Sequence, residues 1–163
     1  GPTALDAPAG VTVVRVETAR QMLAACQSAL PADAAVMVAA VADWRPAQTS
    51  DGKLKKMAGQ GGALDLVENP DILKTLSAPG AARPRLVVGF AAETETLLDH
   101  AAAKLDAKGC DWIVANDVSQ PGVMGGADNT VLLVTAHGAE PWPTLSKTDV
   151  ARRLADRIAT ALA

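Results

Sequence analysis

The feature that most constrains this 163-residue chain is an alternation of two periods. Short runs rich in β-branched residues are followed by stretches whose apolar residues recur three and four apart, and these periods belong to strand and helix. Val11–Val16 (VTVVRV) reads as a strand that leads through Glu17 and Thr18 into a helix carrying Ala19 to Leu30. Ala34–Ala40 (AAVMVAA) is too short and apolar for a surface helix and reads as a second strand. The segment DWRPAQTSDGKLKKMAGQGG, from Asp43 to Gly62, has no period and reads as one long loop, of the kind that is usually functional or disordered. Ala63–Glu68 alternates with period two, as a strand with one wet face does. In NPDILKTLSAPG, Asn69 suits an N-cap, Pro70 the first helical position, Asp71 the positive end and Gly80 the stop.

The remainder continues the pattern. RLVVGFA reads as a buried strand, ETETLLDHAAAKLDAKG as an amphipathic helix ending at Gly109, and DWIVAN as the next strand. A glycine-rich loop from Asp117 to Asp128, the strand NTVLLVTA, a turn at His137-Gly138 and the helix SKTDVARRLADRIATAL, capped by Ser146, complete the chain. Alternating strands and helices predict an α/β fold: a three-layer, Rossmann-like domain with a mostly parallel sheet and an antiparallel hairpin near the C-terminus. No internal repeat and no linker divides it, so one domain over 1–163 is expected.

Composition removes several function classes. A net charge of -3 provides no broad positive field, so binding of nucleic acid by phosphate neutralisation is not expected. Aromatics are 2% of residues, too few for a base-stacking surface. No apolar run is long enough to span a bilayer and the first ten residues carry no secretory pattern, so no membrane partner and a cytoplasmic location are expected. Cys26 and Cys110 lack the spacing of a metal or redox pair and read as reduced core thiols.

Open parallel sheets bind ligands beyond the carboxyl ends of their strands. Asp43 follows a core strand at that edge, where a carboxylate can hold a metal ion or a polar substrate group, or merely cap a turn. Lys53, Lys55 and Lys56 (KLKK) sit in a glycine-flanked loop, as a cover for polyphosphate or as a solvated face. The helix start at ENPDIL offers free amides to an anion, or needs only its own caps. Phe90 is either core or a flat surface for a base. Glu93, Asn116 and Asp117 end neighbouring strands, and Lys104 and Lys108 share a helix face at i, i+4. Singly these are weak; their convergence on one sheet edge is what a nucleotide-phosphate site requires. His100 lies in a helix and His137 in a turn, with no basis for a Cys-His or Ser-His relay, and neither a Walker loop nor a G-x-G-x-x-G fingerprint is present.

AAVADWRP, KLKK, ENPDIL, VGFAAET, AAAKLDAKG, DWIVANDVS and DNTVLLV occur in the order and spacing of phosphopantothenoylcysteine synthetase, and the resemblance runs from Val11 onward. It implies a ligase that joins 4'-phosphopantothenate to cysteine in coenzyme A biosynthesis. In the bacterial type the phosphopantothenate carboxylate attacks the α-phosphate of CTP, giving an acyl-cytidylate and pyrophosphate, and the cysteine amine displaces CMP. By this resemblance Ala39, Ala40 and Asp43 lie at the junction of phosphopantothenate and nucleotide, with Asp43 near a divalent ion, Mg2+. Lys53 resembles the family's catalytic lysine. Asn69, Pro70, Asp71, Ile72, Phe90, Lys104 and Lys108 match positions that hold the nucleotide, as do Asp43 and Lys53; Asp117 fits the pattern without a role. Eukaryotic relatives use ATP; KLKK with NPDIL points to CTP.

The family begins with a strand, a glycine-rich turn and an Asn-x-Ser-Ser-Gly loop, and this sequence starts after them. The resemblance therefore implies a single synthetase domain truncated at its N-terminus and impaired alone. It also implies a homodimer with NTVLLVTA and its hairpin at the contact, and a fused upstream decarboxylase domain that alone would carry FMN. Two alternatives stand beside it: a non-catalytic nucleotide-binding or regulatory module of the same fold, and a dinucleotide-dependent oxidoreductase, which the absent fingerprint disfavours.

Overall fold

The computed structural model describes residues 6–48, 52, 63–93, 96–117 and 126–163. Its centre is a five-stranded sheet. In chain order the elements are α1 (Ala19–Ser28), β1 (Ala34–Met37), β2 (Trp44–Pro46), β3 (Leu66–Glu68), α2 (Ile72–Ser77), β4 (Leu86–Glu93), α3 (Leu97–Lys108), β5 (Trp112–Asp117), β6 (Asp128–Asn129), β7 (Val131–Thr135), β8 (Gly138–Pro141), β9 (Leu145–Ser146) and α4 (Lys147–Leu162). The central order is β1-β4-β5-β7-β8. β1, β4 and β5 run parallel, Val36 opposite Val88 and Gly89 opposite Ile113, whereas β7 and β8 are antiparallel.

Each face of the sheet carries its own apolar cluster, because successive side chains alternate. Leu86, Val88, Val114, Leu133 and Trp142 meet Val150 and Leu154 of α4 on one face. Val87, Ala91, Ile113, Ala115 and Val134 meet Ala101 and Leu105 of α3 on the other, with Leu73 of α2 beside them. The expected three layers and hairpin are present, the hairpin turning at Gly138 with φ 127°.

Helix ends follow local chemistry. Thr18 caps α1 in a reciprocal box with Gln21. Gly109 closes α3 in the left-handed region at φ 64°, and the Ser146 side chain accepts from the Asp149 amide at the head of α4.

Three expectations change. Val11–Val16 pairs with no strand among the described residues, and Val11, Val13 and Val14 are 57%, 50% and 63% exposed. β-propensity acts through packing on a neighbour, so a β-branched run without a ladder partner gains nothing from the extended pairing it favours. Trp44–Pro46, expected as loop, is a strand paired with Leu66–Glu68. Asp71, rather than Asn69, is the N-cap of α2: its side chain accepts from the Lys74 amide. β7 has Val131, Leu133 and Val134 buried in the chain's own core.

A polar hub that the sequence did not announce ties the amino ends of β4 and β5 together. Arg83 Nη2 donates to both oxygens of Asp111 at 3.1 and 3.0 Å, and its Nε donates to the Ser77 carbonyl. Asp111 Oδ2 also accepts from the Val87 amide at 2.7 Å. At the far edge Glu140 accepts from Trp142, Arg153 and Arg157, and the Arg153 guanidinium stands 4.6 Å from the Trp142 ring centroid. No helix among the described residues is long and apolar enough to cross a membrane.

Candidate functional site

The site residues rest on a small helix anchored by a close approach. Leu73 of α2 lies over Gly89 of β4, where a Cβ would stand 2.6 Å from Leu73 Cδ2 and 2.9 Å from Ile113 Cδ1. Glycine lets the helix settle onto the strand. α2 in turn carries Asp71 at its cap and Asn69 two residues before it.

Asn69 reaches the turn that leads into β2. Its Nδ2 donates to the Ala42 carbonyl at 2.8 Å and, more weakly, to the Trp44 carbonyl at 3.4 Å. Its amide donates to the Asp43 carbonyl at 2.7 Å, continuing the β2–β3 ladder by one bond. Arg45 adds a hydrogen bond to the Glu68 carbonyl. Asp43 itself is exposed, and its carboxylate makes no hydrogen bond or ion pair with any described residue. Ala39 and Ala40 are exposed in the same crossing from β1.

Asp71 joins this segment to α3. Lys108 Nζ lies 2.5 Å from Asp71 Oδ2, and the Lys74 amide donates to Oδ1 at 3.0 Å. Burial pushes the Asp71 carboxyl up, but the Lys108 hydrogen bond, the Lys74 amide and the lysine charges outweigh it and hold its pKa below the ordinary value. Lys104, one turn earlier on α3 and half-buried, has no polar partner among the described residues. Ile72 is buried and Pro70 half-buried, so both act as supports for this corner.

The expected convergence therefore divides. Asp43 with Asn69, and Asp71 with Lys108, form one continuous stretch. Phe90 packs instead against the α4-side cluster, on the sheet face opposite Leu73. β4 and β5 end in register, Glu93 opposite Asp117 and Ala92 opposite Asn116. Lys53, Lys55 and Lys56 lie outside the described residues. The Asn69 clamp on three consecutive carbonyls was not foreseen; its signal was the Asn-Pro-Asp run, which capping alone does not use up.

A resident metal cage is not built here. Among the described residues no group of three or more His, Cys, Asp or Glu side chains could hold an ion. Magnesium carried on nucleotide phosphates keeps several waters and needs only one or two carboxylates, and Asp43, exposed and unpaired among the described residues, fits that mode of binding.

A family model described as the DNA/pantothenate metabolism flavoprotein C-terminal domain matches residues 1–162. The chain belongs to that family. The coenzyme A biosynthesis bifunctional protein CoaBC of Mycolicibacterium smegmatis is 40% identical over 170 residues, spanning 95% of this chain and 40% of that protein. CoaBC of Bacillus subtilis is 39% identical over 164 residues, spanning 98% and 39%. The chain thus spans about two-fifths of the length of these curated relatives. A crystal structure of the C-terminal domain of CoaBC superposes with a TM-score of 0.76 at 34% identity, covering 99% of this chain and 71% of that one. A DNA/pantothenate metabolism flavoprotein from Streptococcus pneumoniae shares the fold, with a TM-score of 0.72 at 16% identity.

Proposed function

We propose that the chain is the synthetase part of a coenzyme A biosynthesis protein, a ligase joining 4'-phosphopantothenate to cysteine with CTP. The observation that carries this reading is the 40% identity to CoaBC across 95% of the chain, joined to a site in which Asp43 is held by the Asn69 corner. The phosphopantothenate carboxylate attacks the α-phosphorus of CTP and pyrophosphate leaves; the cysteine amine then attacks the acyl carbon and CMP leaves with the bond electrons.

Three anionic groups meet in the first step, so the protein's task is to place positive charge and exclude water. Lys53 is assigned to the phosphates as charge develops on them. Ala39 and Ala40 offer a small-residue surface to phosphopantothenate. Asn69, Pro70, Asp71 and Ile72 form the nucleotide side, with Lys104, which has no polar partner among the described residues, beside them and Lys108 held by Asp71. Phe90, which packs against the α4-side cluster, is assigned to the nucleotide by the family resemblance. A divalent ion bound with the phosphates would supply Lewis-acid charge neutralisation, and Asp43 is the carboxylate that would face it. The assembly that goes with this reading is a homodimer in the cytoplasm, and sedimentation across a concentration range measures its oligomeric state.

The deciding experiment is pyrophosphate release from CTP and from ATP, with 4'-phosphopantothenate and magnesium, with and without cysteine. It is run on this chain and on the full-length protein. CTP-selective release that needs phosphopantothenate supports the ligase. Nucleotide binding without release from either protein would replace it with a non-catalytic module.

A further inference from the structure

Asn69 stands among the residues assigned to the nucleotide, yet its donors point into the protein. An asparagine amide carries two N–H donors, and those of Asn69 serve the Ala42 and Trp44 carbonyls while its backbone amide serves Asp43. Three consecutive carbonyls thus converge on one residue. Asp43 has no side-chain partner among the described residues, so what fixes the place from which its carboxylate projects is this stretch of backbone, which sets its Cα–Cβ bond. The support continues inward: Asn69 precedes α2, Ile72 is buried, and Leu73 is seated on Gly89 in the central sheet.

We propose that Asn69 is a positioning residue for Asp43, transmitting the rigidity of the sheet to a carboxylate in an otherwise exposed turn. The inference rests on the assignment of Asp43 to the phosphate and ion side of the ligase site. Displacing a positioned group beyond its working tolerance is costly, and well-supported sites are held within about 0.5 Å.

Chemistry separates positioning from direct contact. Asn69 Oδ1 has no hydrogen-bond partner among the described residues, and Asn69→Asp keeps an oxygen there. The same change replaces Nδ2 by an oxygen facing two carbonyl oxygens, so a clamp is reversed into repulsion. A direct ligand contact through Oδ1 would keep its acceptor atom and would leave the backbone at 42–48 undisturbed.

The test compares Asn69→Ala, Asn69→Asp, Asp43→Asn and the double variant N69D/D43N in the full-length protein, by amide exchange and by magnesium titration of pyrophosphate release. In both Asn69 variants the peptide spanning 42–48 is expected to exchange roughly tenfold faster while α4 keeps its protection, with Asp the more severe change. Both should raise the magnesium needed for half-maximal release about tenfold, toward the D43N value, and the double variant should be no worse than D43N. Unchanged exchange at 42–48, wild-type behaviour of N69D, or additive effects in the double variant would each overturn the proposal. If the unmodified protein releases no pyrophosphate, the ligase reading falls, and the exchange comparison still decides whether Asn69 holds Asp43.

Discussion

Lys108 Nζ and Asp71 Oδ2 are 2.5 Å apart, joining the last turn of α3 to the cap of α2 across 37 residues of sequence. The side chains are 30% and 38% exposed, so solvent screens the pair without dissolving it. Asp71 has two duties, as cap and as ion-pair partner.

These duties titrate together. The folded Asp71 carboxyl lies below its ordinary value of 3.8, so the unfolded chain takes up the proton first. The stability from charged Asp71 is fully present above the unfolded pKa and is lost as pH falls through the lower folded one. Asp71→Asn keeps a good cap but removes the charge. Its urea midpoint should fall below wild type at pH 7 and approach it near pH 3; an equal deficit at both would assign the loss to packing.

Arg83 and Asp111 form a different kind of pair. Asp111 accepts from Arg83 through both oxygens and from the Val87 amide, so truncation strands donors at the junction of two core strands. Asp111→Ala should cost roughly 2 kcal/mol, as loss of charge-assisted hydrogen bonds does. Asp149→Asn, which breaks the exposed pair with Arg152 and keeps a polar side chain by Ser146, should cost no more than about 0.5 kcal/mol. Equal denaturant midpoints for the two variants would show that the hub is as weak as a surface pair.

What was legible in the sequence was whatever depends on neighbours in the chain. Period and caps located α1, α3 and α4, and Gly109 and Ser146 terminate them as their chemistry requires. Short core strands were legible because β-branched runs bounded by turns have few other uses. What escaped depends on distant partners: Val11–Val16 has the composition of a strand but no described ladder, and Trp44–Pro46 is too short to show a period. For the candidate site the sequence offered positions but not their arrangement. Asn69 looked like a cap, since nothing local says that its amide turns back to Ala42, and Phe90 looked like an edge residue because face assignment needs the register.

The seat of Leu73 on Gly89 couples core packing to the site. Gly89→Ala places a methyl against Leu73 and the fully buried Ile113; overpacking of this kind costs typically 1–3 kcal/mol, so about 2 kcal/mol is expected. Leu73→Ala should recover part of that loss in G89A/L73A, because the nearest clash is with its Cδ2. Full additivity by chemical denaturation would mean that α2 moves as a body instead.

In the proposed mechanism Lys53 and Asp43 would separate charge neutralisation from ion placement. Lys53 is assigned to the phosphates directly, so Lys53→Gln should lower turnover about a hundredfold, within the range for loss of one electrostatic stabiliser, with little change in magnesium requirement. Asp43→Asn keeps the size of the side chain and removes its charge, so it should raise the magnesium requirement by about tenfold with a smaller fall in turnover at saturating magnesium. Asp43 is exposed and outside the sheet core, and thermal midpoints of both variants should stay near wild type. The two profiles cannot be exchanged: excess magnesium can repopulate a weakened ion site but cannot replace a missing ammonium group. If magnesium rescued Lys53→Gln and failed to rescue Asp43→Asn, the assignments of the two residues would have to be reversed.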